Sequence, residues 1–334
     1  FCDALEAAAA ARVPAVAVDN ALARRMFEPL PAGGLETRTR AMLKVQDGCC
    51  NFCTYCIIPY TRGPVRSLPL ADAVEQAETL ARRGYREIVL TGIEIASWGV
   101  ELPGKPGLAE LVCAVCRAVP GLRVRLGSLE PRIVTESFCT ALAGCGNLCP
   151  QFHLSLQSGS DTVLRRMRRK YDTARYYESV TLLRRFFPGC AITTDVIVAF
   201  PGETEAEFAE TLAFAEKCGF AAMHIFPYSR RPGTPADRMP GQHGNAVKEA
   251  RAHAAGEVAA RLSARYRSAL IGTVQPVLFE ERADGLYAGH APNYVKVYAP
   301  GEGLHNCLRP VRIVSLHDDG VRGEIVSERI VQNT

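Results

Sequence analysis

From about residue 41 the chain alternates short apolar runs with longer stretches whose apolar positions recur every three or four residues. The runs at 42–45, 88–90, 124–129, 152–156, 192–200 and 223–226 hold several β-branched residues and have strand length. Between these runs the helical signals are explicit. Val74, Ala77, Leu80 and Ala81 share one face, Asp72 with Glu75 reads as a cap-and-reach pair, and Gly84 as the stop. Thr204 with Glu207 repeats the device ahead of Phe208, Leu212 and Ala215, and Gly219 ends that helix. Ser160 is expected to cap Val163, Leu164 and Met167, with Asp161 in the first turn, where the helix dipole favours a negative charge. Six such units imply a parallel sheet, because crossover helices are what join parallel strands. Right-handed crossovers curl that sheet into a barrel or a partial (β/α)6 barrel, with the chemistry in loops that follow strands.

The flanks read differently. Residues 4–12 suggest an Ala-rich helix, 13–18 a short strand, and Pro29, Pro31 and Gly33-Gly34 a linker. After the six units a helix over 246–270 carries Val247, Ala254, Val258 and Leu262 as its stripe. Beyond Gly272, short alternating segments at 274–279, 286–289, 294–298, 308–315 and 321–325 predict a small all-β barrel. The expected division is 1–36, 37–271 and 272–334, and the fold class is α/β.

Of 334 residues, 48% are hydrophobic and 22% charged, enough for one large domain and one small one. No apolar run approaches the ~18 residues of a membrane span, and no signal peptide is read ahead of the first domain. Thirteen cysteines fit reduced thiols in a cytoplasmic protein better than a secreted disulfide scaffold. A net charge of +4 is too small to establish nucleic-acid binding by itself. The chain opens on Phe1 and is expected to be part of a longer one.

The candidate chemistry lies just after the first strand, in Asp47-Gly48-Cys49-Cys50-Asn51-Phe52-Cys53-Thr54-Tyr55-Cys56. Cys49, Cys53 and Cys56 stand at C-x3-C-x2-C spacing, with no histidine nearby to complete a tetrahedron. Zinc fingers and ferredoxin clusters take four protein ligands. Three thiolates on a four-iron cube leave one iron open instead. A structural zinc loop using Cys50 or a distant thiol is the competing reading, but adjacent residues rarely aim both thiolates at one small ion. Cys50 is read as a bystander.

This loop resembles the signature of the radical S-adenosylmethionine (SAM) enzymes, in which the open iron is chelated by SAM. The methylthiotransferase branch is matched by further stretches: Leu90-Thr91-Gly92-Ile93, 153–161 (His153 to Asp161), 195–204 (Asp195 to Thr204) and 226–236 (Phe226 to Ala236). These occur in family order from about residue 37 to the end. Arg125-Leu126-Gly127-Ser128-Leu129-Glu130-Pro131 resembles the type acting on threonylcarbamoyladenosine beside the tRNA anticodon. The isopentenyladenosine type and the type acting on a ribosomal protein are the alternatives; an RNA-binding iron–sulfur protein without catalysis is the alternative of another class. The segment with Asn293-Tyr294-Val295-Lys296-Val297-Tyr298 is similar to the TRAM domain, an OB-like RNA-binding barrel.

The resemblance implies a [4Fe–4S] cluster on Cys49, Cys53 and Cys56, with SAM as the second cofactor. It also implies tRNA as partner and an electron donor such as a flavodoxin or ferredoxin. For SAM it points to Tyr55, Thr91, Gly92, Ser158, Asp161, Gly202 and Tyr228, and no side chain is assigned as a catalytic acid, base or nucleophile. Arg125 and Glu130 become candidates for the modified base. For RNA, residues 160–190 hold eight Arg or Lys against three acidic residues, with Tyr171, Tyr176 and Tyr177 among them. Arg165, Arg168, Arg169 and Lys170 are the named contacts there, and Tyr294, Lys296 and Arg309 those on the barrel. The family also has an N-terminal domain whose three further cysteines hold a second [4Fe–4S] cluster. Only about 36 residues precede the core here, with Cys2 their sole thiol, so that cluster is expected in a longer protein alone.

Overall fold

The computed structural model describes residues 2–11, 19–30, 38–283 and 285–327. The strand expected at 13–18 and most of the linker lie outside them. In chain order the first elements are α1 (Cys2–Ala11), β1 (Arg40–Lys44), β2 (Gln46–Asp47), α2 (Ile58–Arg62), β3 (Arg66–Ser67), α3 (Leu70–Arg82), β4 (Glu87–Thr91), α4 (Leu108–Ala118) and β5 (Arg123–Leu126). There follow α5 (Glu136–Ala143), β6 (Gln151–His153), α6 (Asp161–Arg166), α7 (Thr173–Phe186), β7 (Ala191–Val198), α8 (Glu205–Cys218), β8 (Ala222–Pro227) and α9 (Asn245–Ser268). The six apolar runs correspond to β1, β4, β5, β6, β7 and β8.

These strands form two parallel triplets, β1-β4-β5 and β6-β7-β8. Two parallel bridges join the triplets, Val124↔Leu148 and Leu129↔Leu154. The result is a six-stranded curled sheet, a partial (β/α)6 barrel. Alternation along each strand separates its faces. Ala41, Leu43, Ile88, Leu90, Val124, Phe152 and Ile192 are buried in one core with Leu80, Leu111, Val115 and Leu183 of the helices. Arg40, Met42, Val89 and Arg125 point the other way and line a cavity of about 510 Å3.

Helix ends follow the expected rules in part. Thr204 and Glu207 make a complete capping box, and Gly219 adopts the left-handed C-cap of α8. Asp72 does not cap α3, which begins after Pro69 and places Asp72 in its first turn. Ser160 occupies the N-cap of α6, but its hydroxyl pairs with Thr162 Oγ1 at 3.0 Å rather than with a helix amide. The buried stripe of α9 is Arg251, Ala255, Val258 and Leu262. The charge of Arg251 is matched by the buried Glu203 carboxylate at 2.8 Å.

The remaining strands are β9 (Val274–Ala283), β10 (Leu286–His290), β11 (Lys296–Ala299), β12 (Leu308–His317) and β13 (Gly320–Ile325). They close into a five-stranded barrel in the order β10-β11-β13-β12-β9 around Val277, Phe279, Val297, Val311, Ile313 and Val321. It docks at the starts of β1, β4 and β5, the end opposite the cysteine loop. Arg123 Nη1 donates to the carbonyls of Pro276 (3.2 Å) and His290 (3.0 Å), and Arg125 Nη1 to that of Pro292 (2.9 Å). Arg40 pairs with Glu280 at 3.0 Å. Among the described residues no helix is long and apolar enough to cross a membrane.

Candidate functional site

β2 and β3 pair antiparallel and close the base of the loop 48–65 at the C-terminal end of β1. Asp47 anchors it, with Lys44 Nζ at 2.7 Å, Arg62 Nε at 3.0 Å and Arg66 Nη2 at 3.5 Å from its carboxylate. Burial would raise this carboxyl, but Lys44, Arg62 and the Gly48 N–H together hold it below the usual range. Gly48 has φ +75°, and a Cβ there would stand 1.9 Å from the Pro64 carbonyl oxygen, so no other residue fits. Gln46 ties the loop to β4. Its Nε2 donates to the carbonyls of Asp47 (3.0 Å) and Gly48 (2.7 Å), and its Oε1 accepts from the Glu94 N–H (2.8 Å).

Cys53 is buried, Cys49 and Cys56 are half-buried, and Cys50 is exposed. The loop's centre is pinned through Thr54, whose N–H donates to Met167 O (3.1 Å) and whose carbonyl accepts from Ala236 N–H (2.9 Å). Burial pushes the Cys49 thiol up to about 11 and raises Cys56 as well. Arg169 Nη1 donates to Cys53 Sγ at 3.2 Å, while its Nε reaches the Tyr171 hydroxyl at 3.0 Å. Arg169 thus sets a cationic donor against the buried sulfur of the loop. Three thiols on one loop, one of them charge-compensated, fit a [4Fe–4S] cluster.

Beside Cys56 opens a cavity of about 410 Å3, lined by Tyr55, Gln157, Asp195, Ile197, Tyr228 and Arg231. Tyr55 packs edge-on against Phe200 (6.4 Å between ring centres), and Phe200 against Tyr228 (5.3 Å). Among the described residues the buried Tyr228 hydroxyl has no hydrogen-bond partner. Asp195 is oriented by His153, whose Nε2 lies 3.2 Å from its carboxylate and whose Nδ1 faces Thr193 Oγ1 at 3.0 Å. Gln157, Asp195 and His153 were quoted within motifs but not singled out. His153 ends β6 and Gln157 follows it, whereas Asp195 lies inside β7. Glu94 also draws notice: burial pushes its carboxyl up to about 7, and among the described residues its Oε1 has no hydrogen-bond partner.

The other predicted residues fall elsewhere. Thr91 and Gly92 line a separate cavity of about 430 Å3 with Met42, Lys44, Arg62 and Ile93. A Cβ on Gly92 would come within 2.7 Å of the Gln46 carbonyl oxygen, so the loop itself takes up that space. Ser158 is fully buried, its hydroxyl bonded to Thr211 Oγ1 (3.1 Å) and accepting from Ser160 N–H (3.2 Å). Asp161 accepts from the Thr173 N–H at 2.8 Å and belongs to the entry of α7. Gly202 is exposed in the turn after β7, where its φ of +71° favours glycine and a Cβ would meet nothing within 4 Å. Arg125 is buried against Glu87 (2.7 Å) in the trough inside the curled sheet, at the end that the C-terminal barrel closes, away from the cysteine loop. Glu130 caps the turn after β5 and pairs with Arg132 at 2.9 Å.

Half of the basic cluster is structural. Arg166 is bidentate to Glu207 (3.0 and 2.7 Å), Arg175 and Arg184 donate to backbone carbonyls, and Arg169 faces Cys53. Tyr171 and Tyr176 are buried and offer no face for stacking. Arg165, Arg168 and Lys170 remain exposed. On the barrel, Tyr294 lies under the guanidiniums of Arg125 (4.7 Å) and Arg40 (5.2 Å) and stacks on His290 (4.8 Å). Lys296 pairs with Asp319 at 3.5 Å, and Arg309 is exposed, donating to Leu308 O at 3.0 Å.

Residues 43–215 match the model of the Radical SAM superfamily. The threonylcarbamoyladenosine tRNA methylthiotransferase MtaB of Bacillus subtilis is 36% identical over 332 residues, 96% of this chain and 73% of that protein. The protein of the same name from Thermotoga maritima is 41% identical over 304 residues, 89% of this chain and 69% of its own. The tRNA-2-methylthio-N(6)-dimethylallyladenosine synthase of Symbiobacterium thermophilum is 35% identical over 90% of this chain and 66% of that protein. Among solved structures, coproporphyrinogen III oxidase from Escherichia coli superposes with TM-score 0.50 at 13% identity, over 81% of this chain and 69% of that one. The radical S-adenosylmethionine methyltransferase TsrM from Kitasatospora setae gives 0.51 at 17% identity, over 60% of this chain and 38% of that one. The two structures share the fold with this protein. With the superfamily match spanning the cysteine loop and identity above a third over most of this chain, the chain belongs to the radical SAM superfamily and, within it, to the threonylcarbamoyladenosine tRNA methylthiotransferases.

Proposed function

We propose that this protein attaches a methylthio group to C2 of N6-threonylcarbamoyladenosine beside the anticodon of tRNA. The observation that carries the reading is the loop of three thiols at the end of the first parallel strand, with a guanidinium on the buried one. No side-chain base removes a hydrogen from an unactivated aromatic carbon at neutral pH. A [4Fe–4S] cluster with SAM supplies the one-electron chemistry such a carbon requires. The chain's own part is ligation, orientation and exclusion of water. Cys49, Cys53 and Cys56 would hold the cluster, with Arg169 balancing charge at Cys53. Tyr55 and Tyr228 would bound the cosubstrate cavity, with Asp195 and Gln157 as its polar partners, while Thr91 and Gly92 secure the loop from the β4 side.

Residues 37–271 make up the catalytic unit in this reading, and 272–334 the TRAM module that holds RNA. Arg165, Arg168 and Lys170 are placed to meet phosphates near the site, and Lys296 and Arg309 further along the RNA. The target base must be splayed out of the anticodon loop to reach the trough. A flavodoxin or ferredoxin would supply electrons in the cytoplasm. The test is anaerobic incubation of the reconstituted protein with SAM, reductant, sulfide and tRNA carrying threonylcarbamoyladenosine, followed by nucleoside mass spectrometry. The methylthiolated nucleoside is the expected product. A cluster-loaded protein that leaves this tRNA unchanged and modifies isopentenyladenosine instead would move it to the sister activity.

A further inference from the structure

The chain carries more thiols than its cluster uses, and three of the others meet on the helix-covered side of the sheet. Cys113 projects from α4 and Cys145 from the loop between α5 and β6, with their sulfurs 3.5 Å apart and both half-buried. Neither has a strong partner: both face the Ala141 carbonyl, at 3.5 and 3.9 Å. Cys116, one helical turn beyond Cys113, is buried alongside.

The pair stands over the joint between the two strand triplets. Three residues after Cys145, Leu148 forms the parallel bridge to Val124, and Cys149 N–H donates to Val124 O at 2.8 Å. Asn147 fixes this loop against the exit of α4, its Nδ2 donating to the carbonyls of Cys116 (3.2 Å), Val119 (2.9 Å) and Leu122 (2.9 Å). The backbone thus holds both thiols in mutual reach, and side-chain rotation is what closes the remaining gap to a bond.

We infer that Cys113 and Cys145 are a redox modification site, a dithiol that becomes a disulfide and clamps the joint between the two triplets when the surrounding thiol pool turns oxidising. The oxidant class is a low-molecular-weight disulfide such as oxidised glutathione. One protein thiolate attacks it, forming a mixed disulfide and releasing one small thiol; the second protein thiolate attacks the mixed disulfide and releases the other. Two electrons and two protons leave the protein, and the reagent is reduced to two thiols. Burial and the neighbouring Cys113 push Cys145 up to about 11, so at neutral pH Cys145 rests as the protonated thiol.

The test uses the full chain with its cluster, held anaerobically with excess oxidised glutathione, then alkylated, digested and mapped by mass spectrometry. Expected are loss of two titratable thiols, a Cys113–Cys145 cross-linked peptide, and full reversal by dithiothreitol with the cluster absorbance unchanged. Cys113→Ser and Cys145→Ser each abolish the link, and Cys116→Ser keeps it. A Cys116–Cys145 link, a glutathione adduct that goes no further, or no thiol loss overturns the assignment. Hydrogen exchange reads the clamp itself: the amides of Val124 and Cys149 slow on oxidation in the wild type and not in Cys113→Ser. Unchanged exchange in the oxidised wild type refutes the clamp.

Discussion

Glu87→Gln tests what holds the closed end of the trough. Glu87 is completely buried, with Arg125 Nε at 2.7 Å; Arg123 Nη2 approaches it at 2.6 Å without hydrogen-bond alignment. Burial alone would raise this carboxyl, but the two guanidiniums outweigh it and hold it below the ordinary glutamate range. Glutamine keeps the shape and deletes the charge. Breaking a buried ion pair from one side costs about 3–5 kcal/mol. Here both arginines retain carbonyl partners in the C-terminal barrel, and Arg125 retains the Tyr294 ring, which sets the loss near the lower end. About 3 kcal/mol is roughly a 150-fold fall in the folding equilibrium. At a slope of about 3 kcal/mol per molar urea, the midpoint drops by about 1 M at pH 7. The sign with pH follows from the depressed value. The wild-type advantage is complete above the ordinary glutamate value near pH 4.3 and fades as pH falls through the lower folded-state value. Urea titrations of both proteins from pH 3 to 7, followed by circular dichroism, check this. A midpoint shift below about 0.3 M at pH 7, or a difference that does not shrink in acid, would refute the ion-pair account.

Three further outcomes are expected. Cys53→Ser abolishes the visible absorbance of the reconstituted cluster while Cys50→Ser, at an exposed position, retains it; equal loss in both would overturn the ligand assignment. Glu207→Gln removes the partner of Arg166 and half of the α8 capping box, lowering stability at pH 7 by about 1–2 kcal/mol after allowance for screening. Burial opposes ionisation there but Arg166 and Thr162 prevail, so Glu207 titrates at about 2 and the penalty disappears as pH falls from the ordinary glutamate range toward that value; thermal melts at pH 7 and pH 2.5 test it. The double variant Arg165→Ala, Arg168→Ala weakens tRNA binding and lowers the slope of log affinity against log salt by about 1.5. An unchanged slope removes those two side chains from the phosphate contacts.

The alternation of strands and helices was legible because each β/α unit writes its own period and ends, as in the Thr204–Glu207 box. The cysteine loop was legible because its donors are close in sequence. What failed to show were pairings across long separations. Arg123 and Arg125 alternate with Val124 and Leu126 as strand residues should, yet nothing local tells that Glu87, 38 positions before Arg125, waits inside the trough. The basic run after Ser160 likewise looked like one charged surface. Its partners Glu207, Cys53 and the carbonyls of Val134 and Gly219 lie on other elements, so half of its charge is consumed within the fold. Asp72 was misread for a local reason: Pro69 sets the start of α3 without a side-chain acceptor. Glu94 and Asp195 stand out through their surroundings, the one by burial and the other by its contact with His153, neither of which one residue announces.

Tyr294, lying under two arginines, changes how the C-terminal barrel should be regarded. Its ring also lines the cavity inside the parallel sheet, so the barrel closes that cavity as well as forming a neighbouring module. Trimming the chain at 271 would therefore open the trough from below and flood two lumenal guanidiniums with water. Loss of RNA affinity in such a shortened protein would report a leaking vessel as much as a missing handle, so point changes at Arg309 or Lys296 are the cleaner way to ask what the barrel grips.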